Sequence, residues 1–195
     1  MAKPTIKQLK QDIVFDVVLA QTPLKFRTTW GLFSPREIDE GTRLLLNHLE
    51  VGLADVSLDL GCGYGPIGCW IAANSPTGKI HMVDRDYLAV EYSNTNACLN
   101  GLKNCKAYLS NGFSEVPSEV RFNNIVSNIP AKVGRELLLI ILVDAHERLC
   151  PGGQIVVVTI NGLREFMKNN LKQVFGNYKK LKQGRAYTVA RAVKE

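Results

Sequence analysis

Apolar residues fall along this chain in short blocks of two kinds, and the two kinds alternate. Compact β-like runs near Ser57–Leu60, Ile80–Asp84, Ala107–Ser110, Asn124–Ser127 and Gln154–Thr159 predict strands. Between them, helical patterns predict helices near Ile67–Ala73, Leu88–Asn100 and Arg135–Leu149, and a last one near Leu163–Phe175. This is the order of a doubly wound α/β sheet, whose parallel strands are joined by crossover helices. Gly134 stands before the helix from Arg135, and Cys150-Pro151-Gly152-Gly153 after it reads as a stop. Beyond Gly176, the stretches Tyr178–Lys182 and Ala186–Val193 flank Gln183-Gly184-Arg185 and predict an antiparallel hairpin at the sheet's edge. Ahead of the sheet, Asp39 to Leu46 predicts a short capped helix. Residues 1–25 receive no assignment, and 26–195 are expected to form one domain.

The first predicted strand runs into Asp59-Leu60-Gly61-Cys62-Gly63-Tyr64-Gly65-Pro66-Ile67-Gly68. Glycines there let the backbone turn with positive φ and let a ligand approach main-chain atoms that a Cβ would shield. The dinucleotide fingerprint G-x-G-x-x-G requires glycine where this chain has Pro66, and its helix N-terminus must hold a pyrophosphate. Pro66 is comfortable in a first helical turn but removes an N–H from that terminus. The turn therefore suits a nucleoside cofactor without phosphate, such as S-adenosylmethionine (SAM), with Asp59 facing its cationic amino group. A strand-to-helix turn without a ligand is the alternative.

In an open α/β sheet ligands sit at the carboxyl ends of the strands, so polar residues at those ends are the candidates. Asp84 closes the second strand, about 25 residues after Asp59, where a carboxylate can accept both ribose hydroxyls or else cap the next helix; Asp86 is the better cap. Asn111-Gly112-Phe113 closes the third strand, and could pair an amide with an adenine edge while Phe113 lies on the ring, or form an ordinary turn. Asn128-Ile129-Pro130-Ala131 closes the fourth. An Asn carbonyl, with main-chain carbonyls on a proline-stiffened turn, can accept the hydrogens of an exocyclic NH₂ and aim its lone pair at a methyl donor. An Asn-x-Pro turn with no chemistry is the alternative.

Composition narrows the classes further. At 195 residues and 46% hydrophobic content the chain can bury a full core. It shows neither an apolar run of transmembrane length nor a secretion-signal pattern, so a cytoplasmic, membrane-independent protein is expected. The five cysteines form no C-x-x-C pair and keep no zinc spacing with the three histidines, so no metal site is expected. Cys150 falls in a helix-ending turn, and His48, His81 and His146 lie away from the strand ends. From Leu163 onward nine basic residues face two acidic ones, a surplus of seven, while the first 162 residues carry 15 basic and 16 acidic. Such a block suits a polyanionic partner, or is a solvated lysine-rich surface.

Taken together, Phe26-Arg27-Thr28-Thr29-Trp30-Gly31-Leu32-Phe33-Ser34, Asp39-x-Gly41-Thr42, the Asp59–Gly68 turn, Val83-Asp84, Asn111-Gly112-Phe113 and Asn128-Ile129-Pro130 resemble one family. It is the methyltransferase small domain, shared by class I SAM-dependent rRNA guanine-N2 methyltransferases and their single-domain relatives. The resemblance implies a Rossmann-like class I sheet of about seven strands with the last antiparallel. It implies SAM held by Asp59, Gly61, Cys62, Gly63, Asp84, Asn111, Phe113 and Asn128. Asn128 and Pro130 would be catalytic, and Phe33, Ile129, Ala131 and Arg185 would meet a substrate, an RNA, most readily ribosomal. The chain departs from the family's Asn-Pro-Pro-aromatic motif at Ile129 and Ala131. That departure keeps a protein or small-molecule N-methyltransferase, or a SAM-binding RNA-associated module, open as alternatives.

Overall fold

The computed structural model describes residues 5–130 and 134–195. The predicted strands form: β3 is Val56–Leu60, β4 Lys79–Asp84, β5 Cys105–Leu109, β6 Phe122–Asn128 and β7 Leu149–Ile160. They join β8 (Lys179–Gln183) and β9 (Tyr187–Val193) in one seven-stranded sheet of order β5-β4-β3-β6-β7-β9-β8. β3 to β7 pair in parallel, and β9 enters antiparallel between β7 and β8. Helices α3 (Pro66–Asn74), α4 (Tyr87–Leu99), α5 (Arg135–Arg148) and α6 (Arg164–Phe175) make the crossovers, and α2 (Glu40–Leu46) precedes β3. The chain order reverses between β3 and β6, the topological switch point where ligands bind in such sheets.

The sheet is buried on both faces, as a parallel sheet must be. One apolar layer carries Ile71, Met82, Val126, Val158 and the α2 leucines. The other carries Leu58, Ile125, Leu138, Leu142, Ile155 and Leu171. β7 starts earlier than its alternation suggests, because Cys150-Pro151-Gly152-Gly153 is absorbed as an irregularity at its start. There Gly152 N–H donates to the Lys194 carbonyl and Lys194 N–H to that of Gly153, so the stop after α5 doubles as pairing to the C-terminal strand.

The first residues hold a structure that the sequence analysis left unassigned. After a four-residue helix, α1 (Ile6–Leu9), β1 (Ile13–Leu19) and β2 (Thr22–Thr28) form a separate antiparallel hairpin. It is fastened to α4 by two asparagine side chains acting as a borrowed strand edge. The Asn96 amide accepts from Arg27 N–H (2.7 Å) and donates to its carbonyl (3.0 Å). Asn100 repeats this on Lys25 at 2.8 and 2.7 Å. Four helical residues rise about 6 Å and two strand residues about 6.6 Å, so an i, i+4 asparagine pair matches alternate residues of a strand. On α3, the Trp70 indole N–H donates to the Leu19 carbonyl at 3.0 Å and holds the turn of the hairpin. The β2 strand thus lies over the helices and leads straight into the loop at the sheet's carboxyl end.

Candidate active site

The glycine turn between β3 and α3 is braced from every side. Gly61 and Cys62 N–H both donate to the Val83 carbonyl at 2.9 Å, and Gly65 N–H to that of Cys62. The Gly63 carbonyl accepts from Ser93 Oγ on α4 (2.8 Å), and the Tyr64 carbonyl from Asn96 (2.9 Å). Gly61 and Gly63 have φ of +76° and +56°, and a Cβ at either would meet nothing within 4 Å. They are glycines for conformation, and the space beside them is open to a ligand. Gly68 has the opposite reason: a Cβ there would lie 2.3 Å from Met82 Sδ, so α3 can approach the sheet only without one.

That close approach serves Asp59. Buried in β3, its Oδ2 accepts the Gly68 N–H at 2.7 Å, while its Oδ1 is buried with no hydrogen-bond partner. Burial pushes its pKa up to about 7, with the Asp84 charge adding and the Gly68 N–H opposing. A carboxylate with one orphaned oxygen lacks a cationic partner, and an amino group is a partner of the right chemistry. Asp84, at the end of β4, accepts the Gly63 N–H on Oδ2 (2.9 Å) and the Asp86 N–H on Oδ1 (3.0 Å). Each oxygen keeps a lone pair for a hydroxyl, and Asp86 caps α4 through Leu88 N–H at 2.9 Å.

Asn128 closes β6 on the far side of the switch point, and its amide is oriented. Nδ2 donates to Asp39 Oδ2 at 2.9 Å and to Thr42 Oγ1 at 3.0 Å. Its Oδ1 accepts no hydrogen bond from the described residues and is left as the free acceptor. Asp39 is at once the N-cap of α2, accepting from Thr42 N–H, and an acceptor for the Tyr187 hydroxyl at 3.2 Å. Burial first, and then the Asp39 charge, raise the Tyr187 pKa, so the phenol keeps the proton it donates. The sequence marked Asp39 as a cap and missed Tyr187, a lone tyrosine more than 140 residues away. The signal was Asp39-x-x-Thr42, whose cap geometry puts both oxygens at one helix end.

The remaining candidates divide. Pro130 is exposed beside Asn128. Ile129 turns into the core, and its N–H donates to the Val158 carbonyl at 3.0 Å, a bond that the family's proline could not make. Phe113 is likewise a core side chain among Leu60, Val83 and Ile129, and Asn111 is exposed on the turn before it. Cys62 faces Ser93 at 3.4 Å inside the protein, where burial holds its thiol protonated, so it braces the turn. Ala131 lies outside the described residues. Trp30 and Phe33 are 60% and 67% exposed on the loop after β2. Tyr64 of the glycine turn pins that loop, its hydroxyl lying 3.3 Å from the Ser34 and Glu37 carbonyls. Arg185 is exposed in the β8–β9 turn, which Asn161 at the end of β7 holds through the Gly184 and Arg185 carbonyls. The turn therefore sits at the same sheet end as Asn128. Lys179, Lys180 and Lys182 are exposed along β8, where charge also guards an open sheet edge.

A family model for the methyltransferase small domain matches residues 23–191. The chain belongs to the methyltransferase small-domain family. It is 38% identical over 157 residues to the uncharacterized protein YbxB of Bacillus subtilis, covering 80% of this chain and 77% of that one. It is 31% identical over 173 residues to the ribosomal RNA small subunit methyltransferase C of Hamiltonella defensa, covering 87% of this chain and 50% of that protein. The structure of the T. thermophilus 16S rRNA N2 G1207 methyltransferase RsmC, in complex with AdoMet and guanosine, superposes with a TM-score of 0.85 at 27% identity. That match covers 94% of this chain and 51% of the other, so the chain spans about half the length of the rRNA methyltransferases it matches.

The chain is a class I methyltransferase domain, and SAM, the cofactor of such domains, fits the residues present. The orphaned Asp59 oxygen, the open faces of Gly61 and Gly63, and the Asp84 carboxylate bonded to Gly63 lie together at the carboxyl ends of β3 and β4. Among the described residues no group of three or more His, Cys, Asp or Glu could hold a metal ion, and no helix is long and apolar enough to cross a membrane.

Proposed function

We propose that this chain transfers a methyl group from SAM to the exocyclic amine of a base, guanine N2, in ribosomal RNA, and that it does so in the cytoplasm. The observation that carries this reading is the fixed amide of Asn128. Its NH₂ is consumed by Asp39 and Thr42, so a carbonyl oxygen alone remains to receive an acceptor at the switch point. That oxygen suits a donor of hydrogen bonds that is also a nucleophile, which is what an exocyclic amine is. SAM supplies an electrophilic methyl on a sulfonium.

The residues supply the alignment. Asp59 and the glycine turn hold the amino acid end of the cofactor and Asp84 its ribose. Asn128 Oδ1 takes one hydrogen of the amine and thereby turns the nitrogen lone pair toward the methyl. The new N–C bond forms as the S–C bond breaks, and the extra proton leaves the amine to water after transfer. No general base is needed, and proximity carries much of the rate.

Three further observations support RNA as the acceptor's carrier. The exposed rings of Trp30 and Phe33 stand on a loop pinned to the glycine turn, where bases can stack. Arg185 lies at the same sheet end within the basic C-terminal block. The relatives named above for rRNA methylation include one whose structure holds guanosine. Replacing Asn128 by Ala tests the assignment: turnover falls about 100-fold or more while SAM affinity stays within about twofold. A parallel loss of both would move Asn128 to the cofactor site, and no loss of either would remove the acceptor site altogether.

A further inference from the structure

The Asn128 amide could sit in its crevice two ways round, and only one is useful. With the carbonyl inward it receives an amine. With the NH₂ inward it meets the amine's hydrogens with its own. Nothing within an asparagine side chain chooses between these, because the two ends have nearly the same shape. The choice must come from what lies behind it.

We infer that Asp39 is a positioning residue for the methyl transfer, setting the orientation of the Asn128 amide, with Tyr187 and Thr42 holding Asp39 in place. This rests on the acceptor role of Asn128 stated above. Asp39 Oδ2 accepts from Asn128 Nδ2 at 2.9 Å and from Thr42 N–H, so an amide oxygen turned toward it would set acceptor against acceptor. Thr42 Oγ1 adds a second acceptor at 3.0 Å. Asp39 is itself held at two points: Thr42 N–H reaches Oδ2 at 3.2 Å, the bond that caps α2, and the Tyr187 hydroxyl reaches Oδ1 at 3.2 Å.

The packing around this cluster points the same way. A Cβ at Gly41 would lie 2.8 Å from Asp39 Oδ2 and 3.0 Å from the Tyr187 ring. Gly41 has no positive φ to explain it, so its small size is what admits the ring and the carboxylate side by side. A simple helix cap needs no tyrosine from β9 and no vacant Cβ position. The cluster joins three separate elements, α2, β6 and β9, behind one amide.

Two substitutions separate capping from positioning. Asp39→Ser keeps a good N-cap but is too short to reach Asn128, whereas Asp39→Asn keeps both a cap and an acceptor oxygen, its NH₂ facing a tyrosine oxygen able to accept. For Asp39→Ser, kcat is expected to fall about 10- to 100-fold with KM for RNA and SAM affinity within about threefold, and Asp39→Asn should recover most of that loss. An independent readout needs no turnover: the side-chain NH₂ signals of Asn128 in a nitrogen-15 spectrum, identified by their loss in Asn128→Ala. They should be distinct and slow to exchange in the parent, and move to ordinary solvent-exposed positions in Asp39→Ser. Unaltered Asn128 signals in Asp39→Ser, or a fall in kcat matched by a fall in SAM affinity, would overturn the inference. A parent protein that methylates no RNA would overturn the acceptor reading instead, and the NH₂ signals alone would then decide the role of Asp39.

Discussion

The Gly63 amide donates to Asp84 Oδ2 at 2.9 Å, so the residue that ends β4 also closes the glycine turn that follows β3. One carboxylate thereby couples two strand ends before any ligand arrives. Its other oxygen steadies the start of α4 through Asp86 N–H.

Asp84→Ala removes both this brace and the proposed ribose acceptor. SAM affinity should fall by about 2 kcal/mol or more, roughly 30-fold, as two charge-assisted bonds are lost. Calorimetry showing unchanged SAM affinity would remove Asp84 from the cofactor site.

With Asp59 proposed to face the amino group of SAM, cofactor binding should depend on pH. Its folded pKa, raised by burial to about 7, lies above the ordinary carboxylate value, so the folded protein binds this proton more tightly than the unfolded chain. Without ligand, the contribution of this carboxyl to stability is therefore largest below its ordinary value of 3.8 and is lost as pH rises through about 7. A cationic amino group prefers the ionised form, so SAM affinity should run the other way. It should climb up to about tenfold per unit below pH 7 and level off above it. Calorimetry at pH 6 and pH 8 checks this, and Asp59→Asn should bind SAM with no such slope.

The sheet and its site edges were legible because parallel strands buried on both faces leave apolar runs, and each run ends in a polar residue where the sheet opens. Asp84 and Asn128 were singled out as candidates that way, and Asp59 by the glycine-rich turn it precedes. The hairpin at residues 13–28 was not, since its anchors are asparagines on a distant helix, residues whose usual signal is a turn. Phe113 looked like a stacking ring because its place at a strand end says nothing about the direction of its side chain, which points into the core. The Asp39–Tyr187 contact joins the two ends of the domain, and only the folded sheet brings β9 beside α2.

The protein has two tryptophans, and only one faces solvent: Trp70 is buried with its indole N–H bonded, whereas Trp30 is 60% exposed. Quenching of tryptophan fluorescence by single-stranded RNA should therefore report Trp30 alone. It should be absent in Trp30→Leu, which should also lose about 1–3 kcal/mol of RNA binding. Equal quenching in that variant would place RNA away from the loop.

Lys180, Lys182 and Arg185 are exposed on β8 and its turn. If they neutralise phosphates, changing all three to Gln should flatten the salt dependence of RNA binding by about two to three units, leaving SAM affinity unchanged. An unchanged slope would leave them the edge-guarding role alone.

The central claim is tested most directly by supplying the protein with SAM labelled in the methyl group and ribosomal RNA from cells lacking its methyltransferase, both bare and within subunits. The RNA is then digested to nucleosides and separated by mass spectrometry. Label should appear in N2-methylguanosine, and drop about 100-fold or more with Asn128→Ala. Label in another nucleoside, or in protein or small amines while the RNA stays unlabelled, would contradict the account.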